Sequence, residues 1–227
     1  MKHALVALLL MLTGVGPSAA FAVPGRWVEG RNYVLLSPVQ HTSVPAGKIE
    51  VMEVFSYGCP VCDRFQPVIE RIKKSLPANA QMVFLPASFI PAEDWPMFQR
   101  AYFAAQALGV ADKTHQAIFD AVWKTGELAT VDPTTHALKK PQPSLEDAAH
   151  CYGRLTGIKP EDFLNAARSF SVDVKMKAAD AKVMQMQVPG TPCIVVNGKY
   201  RINMDSLSSQ DDVVELVKYL VAKESGH

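Results

Sequence analysis

Between Lys48 and Pro86 the chain reads strand, helix, strand, and this constrains the fold more than any other feature. Lys48 to Ser56 carries Ile49, Val51, Met52, Val54 and Phe55, the apolar run of a buried strand. Gly58-Cys59-Pro60 breaks it. From Val61 to Leu76 the apolar residues Phe65, Val68, Ile69, Ile72 and Leu76 recur every three or four positions, the helical period. Pro67 lies inside that helix and is expected to kink it. Ala80 to Pro86 supplies the second strand, led by Met82-Val83-Phe84-Leu85. A crossover of this kind joins a parallel pair of strands.

The middle of the chain has almost no strand signal. Met97 to Leu108, Thr114 to Trp123 and Ser144 to Leu155 read as helices, and Ser144 with Asp147 fits a capping box. Pro160 to Met186 holds one long or broken helix. Strand character returns at Cys193 to Val196. Asn197-Gly198 then marks a hairpin, with Lys199 to Asn203 as the return strand. A last helix starts near Asp211, with Val213, Leu216, Val217, Leu220 and Val221 on one stripe. Upstream, Val23 to Gly47 is punctuated by Pro and Gly, with one strand-like stretch at Tyr33 to Leu36. The pattern is an α/β domain interrupted by a helical insertion.

The first 22 residues are expected to be a cleaved signal peptide. Lys2 and His3 precede an apolar run from Ala4 to Leu12, and Ala20-Phe21-Ala22 fits a cleavage site. That run is far shorter than the ~20 residues of a spanning helix. The full chain of 227 residues has a net charge of +1, and Lys2 is the one charged residue in the leader. The exported part is therefore formally neutral, which gives no broad electrostatic reason to expect nucleic acid as a partner. A 48% hydrophobic content excludes a mainly disordered chain. All four cysteines lie in the exported part, where disulfide chemistry is permitted, but four are too few for a disulfide scaffold of this size.

Cys59-Pro60-Val61-Cys62 sits where the first strand ends and the helix begins. Residues three apart on a helix are close enough to form a disulfide. The first cysteine meets unpaired backbone N–H groups and the positive end of the helix dipole, and both favour thiolate over thiol. A stabilised thiolate makes the corresponding disulfide oxidising. By accessibility Cys59 is the nucleophile, and Cys62, one turn inside, is the resolving thiol. A haem attachment site would need His where Asp63 stands. A zinc site would need a second pair, yet Cys151 and Cys193 are isolated from each other and from any well-spaced His, so no metal is expected. A second signal is Val188-Pro189-Gly190-Thr191-Pro192, directly before a strand. The residues alone leave Pro192 open between a cis bond and an ordinary trans strand start.

Phe55-Ser56-Tyr57-Gly58-Cys59-Pro60-Val61-Cys62, Val188-Pro189-Gly190-Thr191-Pro192 and Val195-Val196-Asn197-Gly198-Lys199-Tyr200 together resemble the DsbA family of bacterial periplasmic thiol:disulfide oxidoreductases. Ala107-Leu108-Gly109-Val110 and Gly157-Ile158-Lys159 add to the likeness, which runs from about Gly30 to Leu220. The resemblance implies a thioredoxin fold with an inserted helical domain. On this reading residues 23–90 and 166–227 form the thioredoxin-like part and 91–165 the insertion. It further implies that Thr191-Pro192 is cis beside the redox pair, and that Thr191 pairs its backbone with the substrate. Glu53 would be a buried acid relaying a proton to or from Cys62; the alternative is an exposed edge-strand carboxylate. Pro60 and Val61 would tune the potential. Reduced, unfolded exported proteins are the implied clients, a DsbB-type inner-membrane protein the reoxidant, and the periplasm the compartment. No cofactor is implied, and a monomer is expected.

Two departures stand out. The family's best-known motif has His where this chain has Val61, and Val offers the Cys59 thiolate neither a hydrogen bond nor a charge. The best-known members also lack Cys151 and Cys193. Export and even parity invite a bridge between these two, closing a loop of about 43 residues for roughly 4 kcal/mol of stabilisation; the alternative is two buried thiols. The leading function is a dithiol oxidase that introduces disulfides into clients through Cys59 and Cys62. A disulfide isomerase or reductase is the nearest alternative, and a thioredoxin-fold chaperone without redox turnover a more distant one.

Overall fold

The computed structural model describes residues 25–132, 134–135 and 137–226; the expected signal peptide lies outside them. Strand β1 spans Tyr33–Leu35, β2 Ile49–Phe55, β3 Ala80–Pro86, β4 Cys193–Val196 and β5 Tyr200–Ile202. They form one sheet in the order β1-β5-β4-β2-β3. β2 runs parallel to β3 and antiparallel to β4, and β5 is antiparallel to both β4 and β1. All seven residues of β2 are buried, because neighbouring strands flank it and helices cover it. At the hairpin, Asn197 and Gly198 have φ of 53° and 61°. Two successive positive values are what a type I′ turn requires. A Cβ at position 198 would collide with the carbonyl of Gln40, so only glycine fits there.

Helix α1 (Pro60–Ser75) runs unbroken through Pro67 and packs against α7 (Gln210–Glu224). The helical block between β3 and β4 comprises α2 (Trp95–Ala107), α3 (Ala111–Trp123), α4 (Leu145–Thr156), α5 (Pro160–Ala167) and α6 (Phe170–Gln185). Helix α2 is its centre, touching each of the other four. The capping box is present: the Ser144 hydroxyl accepts from the Asp147 N–H, and the Asp147 carboxylate accepts from the Ser144 N–H. The stretch from Pro160 onward breaks into α5 and α6, because the Ser169 hydroxyl caps a new helix at the Val172 N–H.

The block is tied to the end of β2 by an aromatic cluster. Phe55 meets Tyr57, Phe84, Tyr102 and His115 edge-on, and Phe119 closes over both Phe55 and Tyr57. The Trp123 indole donates to the Tyr57 carbonyl at 2.8 Å. These contacts fix the four residues that lead into the CxxC motif. Such a fold is a thioredoxin-like sheet carrying a helical insertion, as the sequence implied.

Candidate active site

Cys59 is the N-cap of α1, with extended backbone (φ −91°, ψ 111°), and Pro60 takes the first helical position. The Cys62 N–H donates to the Cys59 sulfur at 3.3 Å, so a thiolate there satisfies one of the orphan donors of the helix end. Cys59 is 4% exposed, and Cys62 is fully buried one turn deeper. Both are free thiols in this structure. Cys59 titrates at about 6, well below an ordinary thiol. The Cys62 thiol, donating to the thiolate, is the largest cause. Burial opposes it, and the Thr191 side chain and the N–H groups of Cys62 and Val61 assist. Burial pushes Cys62 in the opposite direction, and the negative charges of Cys59 and Glu53 add to that. The two thiols are thus pushed apart in acidity, one an anion at neutral pH and the other a firm thiol.

The Thr191–Pro192 peptide is cis, and the Cys59 thiol donates to the Thr191 carbonyl at 3.4 Å. Glu53 lies on β2 opposite Ile194 of β4 and beside Phe84 of β3, at the centre of the sheet rather than on an edge. It is wholly buried, and neither carboxylate oxygen has a partner at hydrogen-bonding distance among the described residues. Burial first, and then the Cys59 charge, hold its pKa well above the carboxylate range, with the Lys73 charge and the neighbouring Gln66 side chain pulling the other way. An acid raised in this way is held in its protonated form to higher pH than a free carboxyl.

Val61 is 47% exposed and lines a groove of about 310 Å³ together with Pro189, Gly190, Thr191, Pro192, Cys193 and residues 201–205. Its side chain supplies no charge to the site.

Cys151 and Cys193 are free, buried thiols in this structure, the alternative to a bridge between them. Cys151 is buried in α4 of the helical block, 3.7 Å from an Arg154 nitrogen and close to Glu127. Cys193 is buried at the start of β4 in the sheet, near Arg201. Both are free, and burial pushes their thiols up to about 11 and about 12.

Gln66 and His115 carried no reading in the sequence, and Gly58 was read only as the residue that ends the strand. Gly58 presses on Trp95: a Cβ would lie 2.5 Å from the indole nitrogen. Gln66 is buried one turn beyond Cys62 and donates to its carbonyl at 3.2 Å. A glutamine on the otherwise apolar face of Phe65, Val68, Ile69 and Ile72 was the available signal. His115 is buried against Tyr57, whose hydroxyl lies 3.1 Å from Nδ1, and burial lowers its pKa to about 3. It is therefore a neutral part of the aromatic cluster and not a titrating group at the site.

The chain is similar to known proteins over most of its length. The DSBA-like thioredoxin domain family matches residues 50–220. The thiol:disulfide interchange protein DsbA of Pseudomonas aeruginosa is 33% identical over 225 residues, covering 99% of this chain and 97% of that protein. The protein of the same name from Azotobacter vinelandii is 34% identical, covering 94% and 92%. Among solved structures, DsbA from Pseudomonas aeruginosa superposes with a TM-score of 0.73 at 34% identity, covering 88% of this chain and 95% of that one. The oxidoreductase DsbA from Xylella fastidiosa gives 0.74 at 31% identity, covering 88% and 98%.

Proposed function

Since the chain belongs to the DSBA-like thioredoxin domain family and is a thiol:disulfide oxidoreductase, we propose that it acts as a periplasmic dithiol oxidase for reduced, unfolded exported proteins. The observation that carries this reading is the acidity of Cys59 at the start of α1, beside the Thr191 carbonyl. A thiolate stable at neutral pH is a good leaving group and a poor reductant, so the disulfide form gives up its bond readily.

In the oxidised enzyme a client thiolate attacks the Cys59 sulfur. The Cys59–Cys62 bond breaks, its electron pair leaves on Cys62, and Cys62 takes a proton. Glu53, protonated and buried beside the pair, is suited to give that proton. A second client thiolate then attacks the client sulfur of the mixed disulfide, and Cys59 leaves as thiolate. The client is oxidised by two electrons and the enzyme pair reduced by two. Cys62 can instead attack a stalled mixed disulfide and release the client. Thr191 docks the client backbone next to Cys59, and a DsbB-type membrane protein reoxidises the pair. No helix among the described residues is long and apolar enough to cross a membrane.

The test is stoichiometric mixing of oxidised protein with a reduced, unfolded protein, counting thiols on each. The oxidase reading expects one client disulfide for each Cys59–Cys62 bond lost, and a reduction potential well above the cytosolic glutathione poise of about −220 to −260 mV. A potential at or below that poise would move the assignment to a reductase or isomerase, which the apolar Val61 would suit. Unchanged thiol counts would leave a holding chaperone.

A further inference from the structure

Arg201 occupies the middle of β5, opposite Val195 of β4 and Val34 of β1. Its neighbours Tyr200 and Ile202 are buried on the other face of the sheet. Arg201 therefore shares a face with Val195 and with Cys193, two residues along β4. Its guanidinium is near enough to Cys193 to pull that thiol down against the effect of burial. Both residues line the groove that runs from Val61 past Pro189, Thr191 and Pro192 to Met204 and Asp205.

Among the described residues the Arg201 guanidinium takes part in no ion pair. Its Nε is buried and has no hydrogen-bond partner. Asp205 lines the same groove and does not pair with it. Arg201 as a whole is only partly buried where it lines the groove, and no carboxylate of the described residues neutralises its charge. A carboxylate suits it best, since two oxygens match the planar fork of a guanidinium.

We infer that Arg201 selects clients carrying an acidic side chain close to the reacting cysteine, the rest of that segment lying on the apolar groove wall of Val61, Pro189, Pro192 and Met204. The inference rests on the oxidoreductase reading, because it places the client cysteine at Cys59 and the client strand along Thr191. Arg201 acts here as a specificity residue, touching the client beside the bond that reacts rather than the sulfur itself.

The test uses short peptides with one central cysteine and Glu, Gln or Lys at each of the three positions on either side. Each is made a second time with Ser in place of Cys. The oxidised full-length protein is assayed for mixed-disulfide formation with the Cys peptides, and the Ser peptides are titrated by NMR to measure binding without chemistry. At low ionic strength the Glu peptide is expected to react, and its Ser form to bind, about tenfold better than the Gln peptide, on one side of the cysteine only. The Lys peptide should fall below the Gln peptide, and 0.5 M salt should compress the ratios. In Arg201→Gln the Glu-to-Gln ratio should fall to about one, and Arg201→Lys should restore part of it. A ratio within one protein is independent of the fraction folded. Equal binding of the Glu and Gln Ser peptides by the parent protein, or an unchanged ratio in Arg201→Gln, would overturn the inference. If no Cys peptide forms a mixed disulfide while the Ser peptides still rank as expected, the oxidoreductase reading fails and the arginine site stands.

Discussion

The carbonyl oxygen of Thr191 stands 3.4 Å from the sulfur of Cys59, although 132 residues separate the two in the chain. In the protonated enzyme the thiol donates to that carbonyl. Once the proton leaves, the carbonyl loses that donor. This hydrogen bond belongs to the reduced, protonated form alone, because neither a thiolate nor a disulfide sulfur has a proton to donate.

The alkylation rate of Cys59 in the reduced protein should rise through a midpoint at about pH 6. Because the Cys62 thiol is the largest cause of that acidity, Cys62→Ala should raise the midpoint by about one unit. The folded pKa is depressed, so the stability contributed by the thiolate is complete above the ordinary thiol value and is lost as pH falls through about 6. Reduced protein should lose about 2–3 kcal/mol between pH 8 and pH 5 relative to reduced Cys59→Ala, measured by urea denaturation. An equal pH dependence in the two proteins would refute this.

Glu53 is buried without partners and its pKa is raised. A raised acid stabilises the fold only while protonated, so its contribution falls as pH climbs through the folded value. Glu53→Gln should thus match the parent near pH 4 and exceed it by about 1 kcal/mol or more near pH 8. The same variant should slow the step that protonates or deprotonates Cys62 by about tenfold or more, seen in stopped-flow reduction by a dithiol peptide. A stability gain with unchanged kinetics would reduce Glu53 to a structural relic.

Val61 is half exposed in the first turn of α1 and offers the thiolate only its backbone N–H. Val61→His would add a donor that is partly cationic near neutral pH. The Cys59 midpoint should drop by about half a unit to one unit, and the disulfide should become more oxidising. Ultraviolet titration of the thiolate reads the first effect and glutathione equilibration the second. No change in either would mean that the helix end and Cys62 alone set the acidity.

Gly58→Ala would drive a Cβ into the Trp95 indole. The expected loss is about 1–3 kcal/mol, the usual range for overpacking. Trp95→Leu in the same protein should recover part of it, and the double-mutant cycle should show coupling. Additive losses would place the strain elsewhere.

Cys151 and Cys193 sit in different layers with raised pKa values. In protein with Cys59 and Cys62 both replaced by Ala, native alkylation without reductant should label neither. Alkylation in denaturant should label two thiols per chain. None labelled in denaturant, on a monomer, would revive the bridge.

The local parts of this fold were legible because their signals are periodic or stereochemical. The helical spacing of Phe65, Val68, Ile69 and Ile72, the apolar run of β2, and Asn197-Gly198 each specify an element within a few residues. The chemistry of Cys59 was legible for the same reason, since a cysteine at a helix start needs no distant partner to be acidic. Glu53 was not. A strand buried on both faces has no alternation to mark which carboxylate points at the helix, so its role came from resemblance alone. Arg201 was hidden more deeply: Tyr200-Arg201-Ile202 alternates in the way of a strand with one solvent face. The groove beside it is built largely from residues 189–192 and 203–205, a loop and a single helical turn too short to show a period. The break at Ser169 lacked Gly or Pro and needed the cap geometry to be seen.

The sheet order places β4 between β2 and β5, and β4 is synthesised after the whole helical block. A chain emerging from a ribosome or a translocation pore therefore presents Cys59 and Cys62 long before the strand that completes their surroundings exists. Without the folded helix start and the Thr191 edge, Cys59 is an ordinary thiol titrating near ~8.5. The unfinished polypeptide is then a substrate for oxidation and not yet its agent. The Thr191 edge comes last of all, so a copy truncated before it carries an intact CxxC motif whose acidity rests on the helix start and Cys62 alone.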